Sequence, residues 1–265
     1  VKNNKILSFG QTGFKGRPHA ETVAINKCKK NELRGSSIYI TMEPCTHYGK
    51  TPPCTDLIIK SKIKRVIYSS NDIDKRTVNK AYSLLCSKKI NVKKELLNSE
   101  SKKIYKNYFD HKNNNKPFVV AKIACSNDFF ISSMNKLITN EYSRKVSHIL
   151  RYNFDSILVS SKTVNSDNSK LTCRIQGLEN FSPKRLIVDK NLKLNKNSSV
   201  ITDKNKNNTI IFHSTKDKKK INYFKLRNIK LCYTELDSNK NIDLKKVFLK
   251  AYNMGIGSII IEGGK

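Results

Sequence analysis

At 265 residues the chain has room for two ordinary domains, each able to bury its own core. No apolar run approaches the roughly 18 to 20 residues that a membrane span requires, which points to a soluble, cytoplasmic protein with no membrane partner. Seven cysteines scattered along such a length do not resemble the paired framework of a small secreted domain, and the net charge of +31 is mostly Lys in polar runs such as Lys112 to Lys116 and Lys216 to Lys220, which read as solvated loops and not as a nucleic-acid face.

In chain order, Ile6 to Phe9, Ser37 to Thr41 and Arg65 to Ser69 are short β-rich runs, and Ala20, Val23, Ala24 and Cys28 carry helical spacing between the first two. A helix is expected from Pro53 and Cys54 with Leu57 and Ile58 turned inward, another over Ala81 to Leu85, and one over residues 101 to 111. The polar run from Lys112 to Pro117 has little to bury and predicts a linker, so the expected domains are residues 1–112 and 117–265. Alternation then restarts with a strand over Phe118 to Ala124. Tyr142, Val146, Ile149 and Leu150 mark one face of a helix, and Ser156 to Ser160 is the next strand. Arg185 to Val188, Ile210 to His213 and Leu231 to Tyr233 are further strands, and Leu244, Val247, Phe248, Ala251 and Tyr252 define a helix before the strand Ser258 to Ile261. Both units are therefore α/β. Val1 in place of Met, and the closing run Glu262-Gly263-Gly264-Lys265, predict a chain cut at both ends.

Chemistry concentrates in the first unit. His19-Ala20-Glu21 opens a helix, Pro44-Cys45 follows a strand, and Cys54 is preceded by Pro52-Pro53. One imidazole and two thiolates form a three-ligand zinc set with the fourth position open for water, whose pKa zinc lowers to about 7. A helix N-terminus helps stabilise such thiolates. Glu21 is then placed to move protons between water, ring and departing amine. His-x-Glu followed by Pro-Cys-x-x-Cys is the signature of zinc nucleobase deaminases. Here eight residues, not two, separate Cys45 from Cys54, and His47 is the one candidate for a fourth ligand in a closed structural site.

The run Arg17-Pro18-His19-Ala20-Glu21, with Thr41-Met42-Glu43-Pro44-Cys45-Thr46-His47-Tyr48-Gly49-Lys50-Thr51-Pro52-Pro53-Cys54, closely resembles the bifunctional riboflavin-biosynthesis deaminase/reductase family. The long loop between the cysteines separates that family from cytidine and tRNA adenosine deaminases. Lys122 to Asp128, His148 to Arg151, Asp155 to Val159, Thr163-Val164, Asp167-Asn168 and Leu171 to Arg174 resemble the family's reductase motifs in order and spacing.

The resemblance implies a cytidine-deaminase-like three-layer α/β/α domain followed by a dihydrofolate-reductase-like α/β domain. It implies zinc on His19, Cys45 and Cys54, Glu21 as proton shuttle, and His47 and Lys50 against the substrate. In the second unit it implies Arg151, Asp167, Leu171, Arg174 and Glu262 around the ribose phosphate, and Ala124, Thr163 and Gly264 beside NADPH. The implied partner is a small phosphorylated pyrimidine, deaminated and then reduced from ribosyl to ribityl, with homo-oligomerisation left open. Phe129 stands where the family usually has Gly, Leu137 where it has Trp, and Thr12 where many members carry His. A deaminase with a decayed reductase half is the alternative those departures support. A tRNA-type zinc deaminase is the other, and it predicts Cys-x-x-Cys and no second domain.

Overall fold

The computed structural model describes residues 1–13, 16–49, 51–131 and 138–263. The chain separates into two units, Val1–Lys112 and Asn113–Lys265.

The first unit is built on three parallel strands in the order β1 (Ser37–Met42), β2 (Arg65–Ser70), β3 (Asn91–Lys94). Ile38 pairs with Val66, and Val66 with Val92. Parallel neighbours need helical crossovers. The helices Cys54–Lys60 and Lys80–Ser87 supply them, burying Ile58, Ala81 and Leu85 in a cluster with Val66 and Tyr68.

Ile6 to Phe9 is not a strand, contrary to expectation. Among the described residues the first ten hold only an isolated antiparallel bridge, Lys2 to Lys5, around Asn3 and Asn4, both at positive φ. A strand requires a ladder partner. Here the polar groups bond the helix Ala20–Asn26 and its end instead, Ser8 Oγ to the Ala24 carbonyl and Lys27 Nζ to the Phe9 carbonyl. Ile6 and Phe9 stay exposed.

The helix expected over residues 101–111 is two helices, Asn98–Ile104 and Lys106–Asn114. The second continues through Lys112, Asn113 and Asn114, so the segment without helix or strand before β4 shortens to residues 115–117.

The second unit is a six-stranded, wholly parallel sheet. It comprises β4 (Phe118–Lys122), β5 (Ser156–Ser160), β6 (Lys184–Val188), β7 (Thr209–His213), β8 (Lys230–Tyr233) and β9 (Ser258–Glu262), ordered β4-β9-β5-β6-β7-β8. Successive side chains of a strand face opposite ways. Ile157, Val159, Ile187, Ile211 and Ile260 therefore pack into one cluster, while Leu158, Leu186, Ile210, Phe212 and Ile259 pack into another with Val247 and Ala251 of the helix Leu244–Asn253. A sheet buried on both faces explains why these strands read as continuous apolar runs. The last strand inserts between β4 and β5, so the C-terminal ends of β4, β9 and β5 adjoin, at Lys122, Glu262 and Ser160. Ligands of parallel α/β sheets bind at that end.

Candidate functional site

Local structure places each donor of the first unit at an element end. His19 is the N-cap of the helix Ala20–Asn26, Cys54 opens the helix Cys54–Lys60 behind Pro53, and Cys45 lies just past β1. His19 Nδ1 stands 3.3 Å from Cys54 Sγ and 3.4 Å from Cys45 Sγ, and the three donor atoms lie within 4.8 Å of one another. Tetrahedral zinc with ordinary Zn–N and Zn–S bonds requires N···S separations of about 3.5 Å. The donor set therefore fits zinc, with one position left for a fourth ligand.

The backbone N–H of Cys54 donates to Cys45 Sγ at 3.2 Å, and the N–H and hydroxyl of Thr55 both donate to the Cys45 carbonyl, each at 3.2 Å. The Cys54 thiol, His19 and that N–H draw the Cys45 thiol down to about 4, whereas its partner Cys54 is held up by the Cys45 sulfur and by burial. Glu21 is buried in the first turn of its helix and interacts with the Cys54 thiol. Burial raises its carboxyl above the usual range, partly offset by a backbone hydrogen bond and His19. A cavity of about 400 Å³ lies beside Glu21, bordered by Leu7, Phe9, Ala24, Ile38 and Ile40, but His19, Cys45 and Cys54 do not line it.

Around this cluster, His47 Nδ1 sits 3.1 Å from the hydroxyl of Thr77, which is fully buried. Glu43, buried just before Cys45, accepts backbone N–H groups from Asp72 (3.2 Å), Asn79 (3.0 Å) and Ala81 (3.0 Å). One carboxylate thus anchors the 72–81 loop that carries Thr77.

In the second unit Arg151 forms a two-pronged pair with Glu262 at the end of β9, Nε to Oε1 at 2.8 Å and Nη2 to Oε2 at 2.7 Å. Its Nη1 donates to the Thr172 carbonyl at 3.2 Å, and His148 Nδ1, one turn earlier, donates to the same oxygen at 3.1 Å. This holds the loop bearing Leu171 and Arg174. Arg174 is exposed and takes part in none of the ion pairs among the described residues. Thr163 follows Ser160, which ends β5 and caps the next helix by accepting the Thr163 N–H.

Residues 117–265 match the family model described as the RibD C-terminal domain, and residues 1–70 match the cytidine and deoxycytidylate deaminase zinc-binding region. The chain belongs to the RibD family. The riboflavin biosynthesis protein RibD of Aquifex aeolicus is 31% identical over all of this chain and 72% of its own length, and that of Bacillus amyloliquefaciens is 33% identical over all of this chain and 71% of its own. A Thermotoga maritima structure, described as a diaminohydroxyphosphoribosylaminopyrimidine deaminase/5-amino-6-(5-phosphoribosylamino)uracil reductase, superposes with a TM-score of 0.80 at 30% identity, covering 100% of this chain and 72% of that one. Acinetobacter baumannii RibD shares the fold at 21% identity, with a TM-score of 0.84 over 99% of this chain and 72% of that one.

As a RibD family member, the chain combines a cytidine-deaminase-like and a reductase unit, both α/β. The structure gathers His19, Glu21, Cys45 and Cys54 into one cluster, and Arg151, Glu262 and the loop of Leu171 and Arg174 into another. Five positions depart from the simplest reading. Arg151 and Glu262 engage each other, which spends the charge of both. Leu171 is 3% exposed and packs into the core cluster at φ 55°, so it does not line an open site. Asp167 ends its helix exposed, accepting only the neighbouring Ser166 hydroxyl among the described residues. Ala124 is half-buried two residues beyond the end of β4, outside the strand expected to include it. Lys50, Leu137 and Gly264 lie outside the described residues. Glu43, Thr77 and His148 act here without having been assigned a task, because their partners are remote backbone groups or side chains that no local pattern announces.

Proposed function

We propose that the chain catalyses two consecutive steps of riboflavin biosynthesis. The first is hydrolytic deamination of 2,5-diamino-6-(5-phosphoribosylamino)pyrimidin-4-one, and the second is NADPH-dependent reduction of the ribosyl chain to ribityl. The observation that carries the reading is the His19, Cys45, Cys54 triad with buried Glu21 beside it, in a chain whose other half matches the RibD C-terminal domain.

His19, Cys45 and Cys54 hold zinc, which supplies the Lewis acidity that makes water a nucleophile at neutral pH. Glu21, drawn towards neutrality by burial, moves the proton. It takes one from the water attacking the amine-bearing carbon and passes it to the ring nitrogen, then moves the proton of the new hydroxyl to the departing amine, so that ammonia leaves and a carbonyl remains. Thr77 fixes the His47 ring, which the motif assigns to the substrate. Lys50 is assigned to the same substrate by the motif alone. In the second unit NADPH supplies the hydride, and Ala124, Thr163 and Gly264 are assigned to its side of the crevice. Arg174, in no ion pair among the described residues and able to offer a planar fork, takes the substrate phosphate, while Arg151 with Glu262, and the exposed Asp167, shape the ribose end. A small-molecule metabolite is thus the partner. None of the seven cysteines is joined in a disulfide, which supports a reducing, cytoplasmic setting, and no helix among the described residues is long and apolar enough to cross a membrane.

One observation favours a narrower reading, a deaminase with an inactive reductase. Phe129 sits at φ 64° and 83% exposed beside the crevice strand β4, where the family usually has Gly. Mass spectrometry of the zinc-loaded protein with the diaminopyrimidinone substrate separates the two. Deamination raises the substrate mass by about one unit, and reduction with NADPH adds about two more. Both increments are expected; the first alone establishes the narrower reading, and neither overturns both.

A further inference from the structure

Arg17 stands two residues before His19, within about 7 Å of chain, and no step above uses it. Its guanidinium offers five donors. Among the described residues only one is engaged, Nη1 to the Gly16 carbonyl at 3.2 Å, while Nε is shut off from solvent with no acceptor. No carboxylate among the described residues pairs with it. Nη2 is turned towards Gly49. A Cβ built on Gly49 would lie 3.7 Å from Arg17 Nη2 and 3.8 Å from His47 Nε2. His47 is held by Thr77 through its other ring nitrogen, so Nε2 is fixed towards the same spot. Glycine at position 49 thus keeps open a corner walled by a guanidinium and an imidazole, on the segments that carry His19 and Cys45. A side chain there would fill it.

Such a corner matches a group with several acceptor oxygens and negative charge. Resting on the deaminase reading above, we propose that Arg17 binds the phosphate monoester of the deaminase substrate, with His47 Nε2 facing the same group. The pyrimidine itself is neutral and has no anionic oxygen to answer a guanidinium. Arginine suits the task because its planar fork bonds two phosphate oxygens at once, which a lysine ammonium does not reproduce.

The test compares deamination of the phosphorylated substrate with that of its dephosphorylated form, using the zinc-loaded full chain and following ammonia release. Arg17→Ala is expected to lower the ratio of the two kcat/KM values by about 10- to 100-fold, through KM for the phosphorylated substrate, with zinc content unchanged. Arg17→Lys should lie between. An unchanged ratio, or equal losses on both substrates, overturns the assignment. Equilibrium binding of ribose 5-phosphate, measured in an Arg174→Ala background to silence the second unit, separates this claim from the reaction itself. If the parent protein releases no ammonia yet binds ribose 5-phosphate in an Arg17-dependent way, the phosphate site stands and the deaminase reading falls. If binding is indifferent to Arg17, the phosphate site falls.

Discussion

Arg17, His19 and Glu21 fall within five consecutive positions yet face three tasks, because a helix start separates side chains that an extended chain would line up on one face. His19 caps the helix and reaches the sulfurs, while Glu21, one step into the first turn, is buried against Cys54. This division has a measurable consequence. Glu21→Gln should abolish deamination while zinc stays near stoichiometric if, as proposed, Glu21 shuttles protons without being a ligand. Cys54→Ser should empty the site of metal. Metal analysis beside the activity assay checks both, and loss of zinc from the Gln variant would show that Glu21 is a ligand after all. In the second unit the same scale bears on which arginine is proposed to meet a phosphate. Arg151 is already neutralised by Glu262, leaving Arg174 as the available fork.

At the scale of elements, the turn after β4 accounts for a departure visible in the sequence. Ser126 accepts the Phe129 N–H on its carbonyl, and its own N–H bonds the Phe130 carbonyl, which forces Phe129 into the left-handed region at φ 64°. An L side chain there costs roughly 1–2 kcal/mol, and glycine avoids the clash at some entropic cost of its own. Phe129→Gly should therefore stabilise the protein by up to about 1 kcal/mol, read as a higher denaturant midpoint with unchanged slope. A lower midpoint would mean that the exposed ring makes a contact worth more than the strain.

A second element-scale device is β6. Arg185, 1% exposed, donates to both Asp203 oxygens, at 2.7 and 2.9 Å, and to Thr209 Oγ1 and the Lys170 and Val200 carbonyls. It ties the loop before Leu171 to the sheet, so the crevice loop is held by Arg185 on one side and by Arg151 with His148 on the other.

Across the whole molecule, pH acts on the second unit through two histidines. Burial lowers His213 below its ordinary value. It also lowers His148, which Arg151 and Arg174 depress further. Between the lowered folded value and the unfolded value near 6.5 the unfolded chain binds more protons, so stability rises with pH in that window. It is fully present above about 6.5 and is lost as the pH falls through the lowered folded values. The thermal midpoint should accordingly drop between pH 7.5 and pH 5, and His213→Gln should flatten the profile. A midpoint that holds steady on acidification would show that neither histidine is kept neutral by the fold.

The order His19, Glu21, Cys45, Cys54 and the alternation of apolar runs were legible in the amino-acid sequence because both are local. Ligand chemistry depends on residue type at an element end, and side-chain period depends only on backbone geometry. The strands from Phe118 to Ile261 were readable to within a residue or two for the same reason. What only the tertiary structure decided is pairing. Ile6 to Phe9 has strand composition but bonds a helix instead. The last strand slots between β4 and β5, bringing Glu262 to Arg151 across 111 residues of sequence. Arg17 and His47 converge on Gly49 from two different segments. Composition reports what a residue can bond; long-range folding alone selects which of its equally suitable partners it meets.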